Sequence, residues 1–162
     1  MLKWVGFLLL AMLSTLAMAR NLPQPYHVSG KVYCDTCRCG FETTATTYIP
    51  GATVELQCRD RSDARLVYSA RTKTNKKGTY KFVVKTDHGD QYCDVVLVAS
   101  PWSHCRTPDP GRSRSRVVVT NYSDIFGHQR FANALGFFQD QALPLCPELL
   151  KYYLDDQAYL DE

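Results

Sequence analysis

Three of the seven cysteines lie within six positions of the chain, at Cys34, Cys37 and Cys39. Thiols at this spacing can exchange disulfides, bind zinc or form structural crosslinks. A redox-active Cys-x-x-Cys pair needs a helix N-terminus, which lowers the pKa of the attacking thiol. The residues after Cys37 include Gly40 and several threonines, which are poor helix formers. The stretch therefore does not favour a redox pair.

A zinc site is the second interpretation of the same cysteines. Cys34, Cys37 and Cys39 would need His104 or Cys105 to complete the ligand set. Structural zinc sites usually contain a second closely spaced ligand pair, and this sequence has no second Cys-x-x-Cys. We expect neither a metal nor another cofactor.

Hydrolytic chemistry is the third possibility. The four histidines are His27, His88, His104 and His128. The sequence contains no nucleophile elbow, no His-Glu-x-x-His and no paired-carboxylate pattern around them. The sequence therefore predicts isolated histidines and a protein that is not an enzyme.

The first 19 residues have the features of a secretory signal peptide. Lys3 provides a positive start, positions 5–16 are mostly apolar, and Ala17-Met18-Ala19 matches a small-x-small cleavage site. A membrane anchor is the alternative, but the segment is short for one and has the wrong flanks. We predict a signal peptide over 1–19, secretion to the extracellular space or cell wall, and no membrane insertion.

All seven cysteines follow this segment. Secreted chains fold in an oxidising compartment, so the cysteines are interpreted as a disulfide framework with at least one unpaired thiol. Spacing alone does not select the pairs. The excess of Lys and Arg over Asp and Glu is three, which is too small to indicate nucleic acid or an anionic membrane as a partner.

The remaining pattern predicts one β domain over 27–154. A proline-containing leader occupies 20–26, and an acidic tail occupies 155–162. Alternating or β-branched runs predict strands at 27–33, 53–58, 66–70, 79–84, 93–99 and 117–120, with turns between them. Apolar spacing after Pro147 predicts a short C-terminal helix. The predicted fold is an all-β antiparallel sandwich or barrel.

Two surface features of this domain have alternative interpretations. Arg112, Arg114 and Arg116 occupy alternate positions and form either an anion-binding ridge or a solvated loop that enters the strand at 117–120. The second is our prediction, because exposed runs of charge are usually solvated. Asn121-Tyr122-Ser123 is an N-glycosylation sequon in a surface loop, and we expect Asn121 to be glycosylated rather than unoccupied.

The stretch from Val32 to Thr43, VYCDTCRCGFET, resembles the signature of the plant pollen Ole e I family. Further blocks at 50–58, 74–82 and 135–146 are similar to that family in order and spacing. The likeness thus covers nearly the whole chain after the signal segment. The second and third blocks also resemble strand patterns of transthyretin-like sandwiches.

The resemblance implies a secreted, often glycosylated, allergen-type β domain stapled by three disulfides. By cysteine order these would be Cys34–Cys105, Cys37–Cys146 and Cys58–Cys93. Cys39 stands where the family usually has a small apolar residue, and it is predicted to be the free thiol. We expect it to be exposed, with Arg38 favouring the thiolate.

The resemblance also implies a protein that acts by binding, with an extracellular protein such as a receptor-like kinase ectodomain in pollen or floral tissue as its partner. We predict the binding surface at the loop from Asp35 to Glu42, through Arg38, Phe41 and Glu42. In the alternative, Phe41 plugs the end of the sandwich and Arg38 is merely solvated. The alternative function is inhibition of an extracellular protease by the segment 106–116.

Overall fold

The computed structural model describes residues 24–121 and 127–158. The predicted signal peptide over 1–19 and the first part of the predicted leader lie outside these residues. Within the described ranges, none of the helical structure is long and apolar enough to cross a membrane.

The described chain forms ten strands followed by one helix. In chain order these are β1 (Tyr26–Asp35), β2 (Thr47–Tyr48), β3 (Thr53–Asp60), β4 (Leu66–Lys73), β5 (Thr79–Val84), β6 (Gln91–Ala99), β7 (Cys105–Pro108), β8 (Arg114–Val117), β9 (Gln129–Phe131), β10 (Leu135–Gln139) and α1 (Cys146–Ala158).

The strands make two sheets, one with six strands and one with four. In the six-stranded sheet the first part of β1 pairs with β5 and β9, and its last residues pair with β2 and β10. Strand β7 then pairs with β10. The four-stranded sheet has the order β4-β3-β6-β8, with every pairing antiparallel.

The core lies between the two sheets and follows the alternation of the sequence. Val54, Leu56 and Cys58 point inward from β3, and each has no exposed surface. Tyr80 and Phe82 do the same from β5, at 1% and 4% exposure. Because side chains alternate between the faces of a strand, every second residue of these runs is buried. The predicted all-β, antiparallel, disulfide-stapled fold with a short C-terminal helix is confirmed.

Three details differ from the sequence prediction. The pairings of β1 with β9 and with β10 are parallel, and these two strands were not predicted. The strand predicted at 117–120 is instead Arg114–Val117, and Cys105–Pro108 forms a further strand within the predicted loop. The helix continues to Ala158, so it includes the beginning of the predicted acidic tail at 155–162.

The displaced strand has a physical reason. Ser115 is buried in the middle of β8, where its hydroxyl accepts a hydrogen bond of 2.8 Å from the backbone N–H of Asn133. Because Ser115 is polar although it faces the core, this run lacks the alternation of apolar and polar residues by which a strand is recognised.

Candidate functional site

Two disulfides frame the loop that follows β1. Cys34 is joined to Cys105 at the start of β7, with Cα atoms 6.0 Å apart. Cys37 is joined to Cys146 at the start of α1, with Cα atoms 5.4 Å apart. The end of β1 is thereby crosslinked to two distant segments of the chain. These are two of the pairs that the family resemblance implies.

The third disulfide joins Cys58 and Cys93, which lie directly opposite each other on β3 and β6. Their Cα atoms are 4.0 Å apart. The ring of His88 lies beside them, and the three potential ligand atoms are all within 4.8 Å of one another. Because both sulfur atoms belong to the disulfide, this cluster has no thiolate to offer a metal.

Asp35 organises the loop between the two framing disulfides. Its side chain is almost fully buried, and it accepts hydrogen bonds from the backbone N–H groups of Cys37 at 3.1 Å and Gly40 at 2.7 Å. These bonds bend the chain tightly, and Arg38 and Gly40 adopt positive φ values of 54° and 84°. Glycine adopts this conformation freely, whereas a residue with a Cβ such as Arg38 is strained there.

Arg38 has structural contacts as well as exposure. Its Nη1 group donates to the backbone oxygens of Gln139 at 2.6 Å and Asp140 at 3.4 Å. The guanidinium also lies 4.9 Å from the centre of the Phe138 ring. The side chain therefore attaches the loop to the end of β10 and is not merely solvated.

Phe41 and Glu42 differ in their surroundings: Phe41 packs against α1, whereas Glu42 faces solvent. The half-buried Phe41 ring packs edge-on against Tyr153 of α1, with ring centres 5.7 Å apart. Glu42 is exposed and accepts a hydrogen bond of 2.7 Å from the hydroxyl of Tyr48. That hydrogen bond is the main cause of a raised pKa at Tyr48. Phe41 thus helps to hold the helix, while Glu42 faces solvent.

Cys39 is free and, contrary to the expectation that it is exposed, half-buried. Its thiol lies 3.4 Å from the carbonyl oxygen of Phe41 and 3.7 Å from a carboxylate oxygen of Asp35. Burial raises the pKa of Cys39, and the Asp35 carboxylate acts in the same direction. The expectation that Arg38 favours the thiolate was wrong, because the Arg38 guanidinium is directed to Gln139 and Asp140 instead.

Residues from the turn after β7 also support the loop, a role that no local sequence pattern predicts. Arg112 Nε donates to the carbonyl oxygen of Gly40 at 2.9 Å. Asp109 is buried, and one of its carboxylate oxygens has no hydrogen-bond partner in the described part of the chain. The hydroxyl of Tyr33 is likewise buried without a partner, and burial raises its pKa.

The sequon at Asn121 begins on the surface of the other end of the sandwich. Asn121 is exposed, and its backbone N–H donates to Asp87 at 2.9 Å. Tyr122 and Ser123 lie outside the described residues. The buried guanidinium of Arg130 donates to backbone oxygens on both sides of that gap, namely those of Val118, Thr120, Gly127 and Gln129.

The histidines have separate neighbours. His88 is hydrogen-bonded to Thr86 and Gln91, each at 3.0 Å. The ring of His104 stacks on Trp102, and that of His128 packs against a tyrosine of β1. Within the described ranges, no carboxylate lies within 4.0 Å of a histidine nitrogen.

The segment proposed as an inhibitory loop, 106–116, is mostly folded into sheets. Its first residues belong to β7 and its last to β8. Between them, the backbone N–H of Arg112 donates to the carbonyl oxygen of Asp109 at 3.0 Å, which closes a turn. The segment does not present a long extended loop to a protease.

Comparison with known proteins identifies what this framework is similar to. The family model described as "Pollen protein Ole e 1 like" matches residues 24–154. "Protein DOWNSTREAM OF FLC" of Arabidopsis thaliana is 43% identical over 151 residues, with 91% of this chain and 92% of that protein covered. "Pollen-specific protein C13" of Zea mays is 44% identical, with 81% and 76% covered.

A third relative is "Anther-specific protein LAT52" of Solanum lycopersicum, 38% identical over 90% of this chain and 92% of that protein. Among solved structures, that of the major plantain pollen allergen Pla l 1 superposes with a TM-score of 0.68 at 28% identity. The superposition covers 75% of this chain and 99% of that one. The names describe pollen and anther proteins and an allergen rather than enzymes.

Proposed function

The chain belongs to the Ole e 1-like family of pollen proteins, and we propose that it is a secreted protein that works in the extracellular space or cell wall by binding another protein. Three disulfides within one small domain support a fold made in an oxidising compartment. The tissue words in the names of two relatives, pollen-specific and anther-specific, support a role in reproductive tissue.

The observation that carries the proposal is the construction of the loop from Asp35 to Glu42. The disulfides at Cys34 and Cys37 fix its start, and the buried Asp35 carboxylate fixes its turn. A loop that is ordered before binding loses little conformational entropy when a partner docks. A rigid loop with exposed side chains at Arg38 and Glu42 is suited to recognition.

The side chains that this loop presents are of opposite charge. Arg38 and Glu42 are exposed. Arg38 uses Nη1 to contact β10, and among the described residues its Nε and Nη2 groups have no hydrogen-bond partner. A guanidinium can donate in several directions at once, so the same side chain can position the loop and bind a carboxylate of a partner.

We propose the ectodomain of a receptor-like kinase from pollen or floral tissue as the class of partner to test first. Binding of the purified chain, with its disulfides intact, is measured against a panel of such ectodomains. Glu42→Gln and Arg38→Asn remove the loop charges, and Asn is chosen because it tolerates a positive φ at position 38. Glu148→Gln and Arg65→Asn are matched controls at exposed positions.

We expect the loop variants to weaken binding by about tenfold each, which corresponds to about 1.4 kcal/mol, and the controls to bind like the parent chain. Equal binding by all four variants would place the interface elsewhere. Absence of binding to every ectodomain would contradict the proposed class of partner.

We also propose that Asn121 carries an N-linked glycan, since its side chain is exposed and its backbone is fixed by Asp87. Protein secreted from plant cells is treated with an N-glycosidase and its mass is measured. A loss of mass in the parent chain, and none in Asn121→Gln, is expected. An unchanged mass in the parent chain would contradict the assignment.

A further inference from the structure

The outer face of the four-stranded sheet carries a concentration of basic side chains. In β3, the core side chains alternate with Glu55, Gln57 and Arg59 on the opposite face. In β8 the buried Ser115 and Val117 alternate with exposed arginines at 114 and 116. The alternate spacing of Arg114 and Arg116 therefore reflects the two-residue period of a strand. The prediction that these arginines lie in a solvated loop was wrong.

The strand register brings these side chains into rows. Glu55 lies opposite Arg71 on β4 and Val96 on β6, and Val96 lies opposite Arg114 on β8. One step along the sheet, about 6.6–6.8 Å away, Asp94 lies between Gln57 and Arg116.

A third row places Arg59 opposite Tyr92. Arg61, in the turn after β3, reaches the same ring. At the other end of the face, Lys73 lies opposite Thr53.

We call this surface the basic face. Its basic residues are Arg59, Arg61, Arg71, Lys73, Arg114 and Arg116, all exposed, and its acidic residues are Glu55 and Asp94. Six positive and two negative side chains leave an excess of four, whereas the excess over the whole chain is only three. One surface thus carries a positive charge as large as that of the entire protein.

The two acids are neutralised within the face. Arg116 Nε lies 2.6 Å from a carboxylate oxygen of Asp94, and its Nη2 lies 3.3 Å from the other. Arg71 Nε lies 3.3 Å from Glu55. The acid side chains are 14% and 13% exposed, so the arginines cover them. The other four basic side chains of the face make no ion pair with any described residue.

Tyr92 fixes two of the arginines. The guanidinium carbons of Arg61 and Arg116 lie 4.5 Å and 4.6 Å from the centre of its ring. These contacts hold the charges in place around a ring that stays partly exposed. A shallow pocket of about 160 Å³ opens beside them, and Val118 contributes to its wall.

We propose that the basic face binds a carboxylate-bearing polysaccharide, that is, a linear polyuronate. A flat array of fixed guanidinium groups in rows suits a chain that repeats a carboxylate along its length. A folded protein partner would need an exposed apolar or aromatic centre to bury. The Tyr92 ring of this face is 44% exposed, but it lies between the guanidinium groups of Arg61 and Arg116, so an occupant that reaches the ring must also pair with their charges.

The experiment uses the full secreted chain with polygalacturonate as the probe. Affinity is measured by titration for the parent chain and for the triple variant Arg59→Gln, Arg61→Gln, Arg114→Gln, which removes arginines that make no ion pair. The matched control is Lys81→Gln, Lys85→Gln, Arg106→Gln, which removes the same charge at exposed positions outside the basic face. Thermal melting establishes that all three proteins are folded.

We expect the parent chain to bind and the face variant to lose about tenfold or more in affinity, since each exposed ion pair contributes a several-fold factor. The control variant should lose less than about twofold, and added salt should weaken binding because it screens exposed charges. No binding by the parent chain, or equal losses in both variants, would overturn the proposal. Poly-L-glutamate that binds as tightly as polygalacturonate would show that an acidic polypeptide is the better class of partner, and would also overturn it.

Discussion

The disulfides that frame the loop after β1 and the disulfide of the four-stranded sheet differ in which segments they join. Cys58 and Cys93 join strands that are already paired along their lengths, from Thr53 to Asp60 on one side. Cys37 and Cys146 join the loop to the helix α1, which lies outside both of the described sheets. In the four-stranded sheet the disulfide therefore adds to an existing ladder of hydrogen bonds. At the loop, the disulfide joins two segments that no such ladder connects.

Loop-closure entropy alone does not capture this difference. The sequence separations are 35 for Cys58–Cys93 and 109 for Cys37–Cys146. The chain-entropy model converts them to about 3.8 and about 4.8 kcal/mol of stabilisation, a difference of only about 1 kcal/mol. What separates the two regions is the number of other contacts that remain when the bond is removed.

The largest effect is therefore expected from Cys37→Ser with Cys146→Ser. Unfolding free energy should fall by about 4–5 kcal/mol, and α1 should detach, since the noncovalent contacts shown to hold it to the loop involve mainly Tyr153. Denaturant titration measures the first effect, and limited proteolysis of the helix measures the second.

Cys58→Ala with Cys93→Ala is the matched comparison. It should lower stability by a similar amount, but α1 should remain protected from the protease as long as the chain is folded. Equal protection of α1 in both double variants would show that the helix is held by packing, and would remove the distinction between the two regions.

A smaller loss is expected from Asp35→Asn. The amide must direct an N–H₂ group toward one of the backbone donors at Cys37 and Gly40, where the carboxylate accepts a hydrogen bond at each oxygen. We expect a cost of about 2 kcal/mol, typical of a buried donor left unpaired.

Asp109→Asn is its control. One oxygen of Asp109 accepts from the backbone N–H of Gly111 and the other has no partner among the described residues, so the amide can keep the bond that exists. Chemical denaturation should show little change for this variant. A loss as large as that of Asp35→Asn would mean that buried charge, and not the two donors, sets the cost.

Much of the sheet was readable from the sequence. The runs at 53–58 and Thr79–Val84 alternate strictly, because one face of each meets the core and the other meets water. The β9 segment was missed because it has three residues and an inverted pattern, with Arg130 buried and Phe131 exposed. The β10 segment was missed for a different physical reason. Leu135, Gly136 and Phe137 are all buried, so a strand enclosed on both faces loses the alternation by which it is recognised.

The loop site was predictable only in part. The cysteines mark its position, but the roles of its side chains depend on segments far away in sequence. Arg38 finds its acceptors at Gln139 and Asp140, and Gly40 is held by Arg112. No local pattern encodes contacts between residues separated by 72 to 102 positions. The same limit explains why a neighbouring arginine did not set the ionisation of Cys39.

Backbone strain in the loop gives the next smaller effect. Gly40 has φ of +84°, and among the described residues a Cβ built there would meet only Asp109, at an ordinary contact distance of 3.8 Å. Gly40→Ala should therefore destabilise through conformation alone, by about 1–2 kcal/mol. Gly111→Ala is the control, since its Cβ would meet Asp109 at an ordinary 3.5 Å and no positive φ is required. Thermal unfolding of both variants measures the difference, and equal melting temperatures would contradict this account.

The smallest expected effect concerns the reactivity of Cys39. Burial and the Asp35 carboxylate raise the pKa of its thiol, so the thiolate fraction near neutral pH is lower than that of an exposed cysteine, whose pKa is about 8.5. Alkylation by iodoacetamide should be slow in the folded protein and should accelerate as the pH rises toward the elevated pKa. The rate is followed by mass spectrometry, at each pH, on the chain with its disulfides intact.

The same chain in concentrated urea is the control, because unfolding returns the thiol to its ordinary pKa. The folded and unfolded rate profiles should be displaced, with the folded profile at higher pH. By linkage, the protonated thiol contributes stability that is complete below the unfolded pKa and is lost as the pH rises through the folded one. A folded profile displaced to lower pH would show that a positive charge dominates at Cys39 after all, and that Arg38 acts on the thiol as well as on β10.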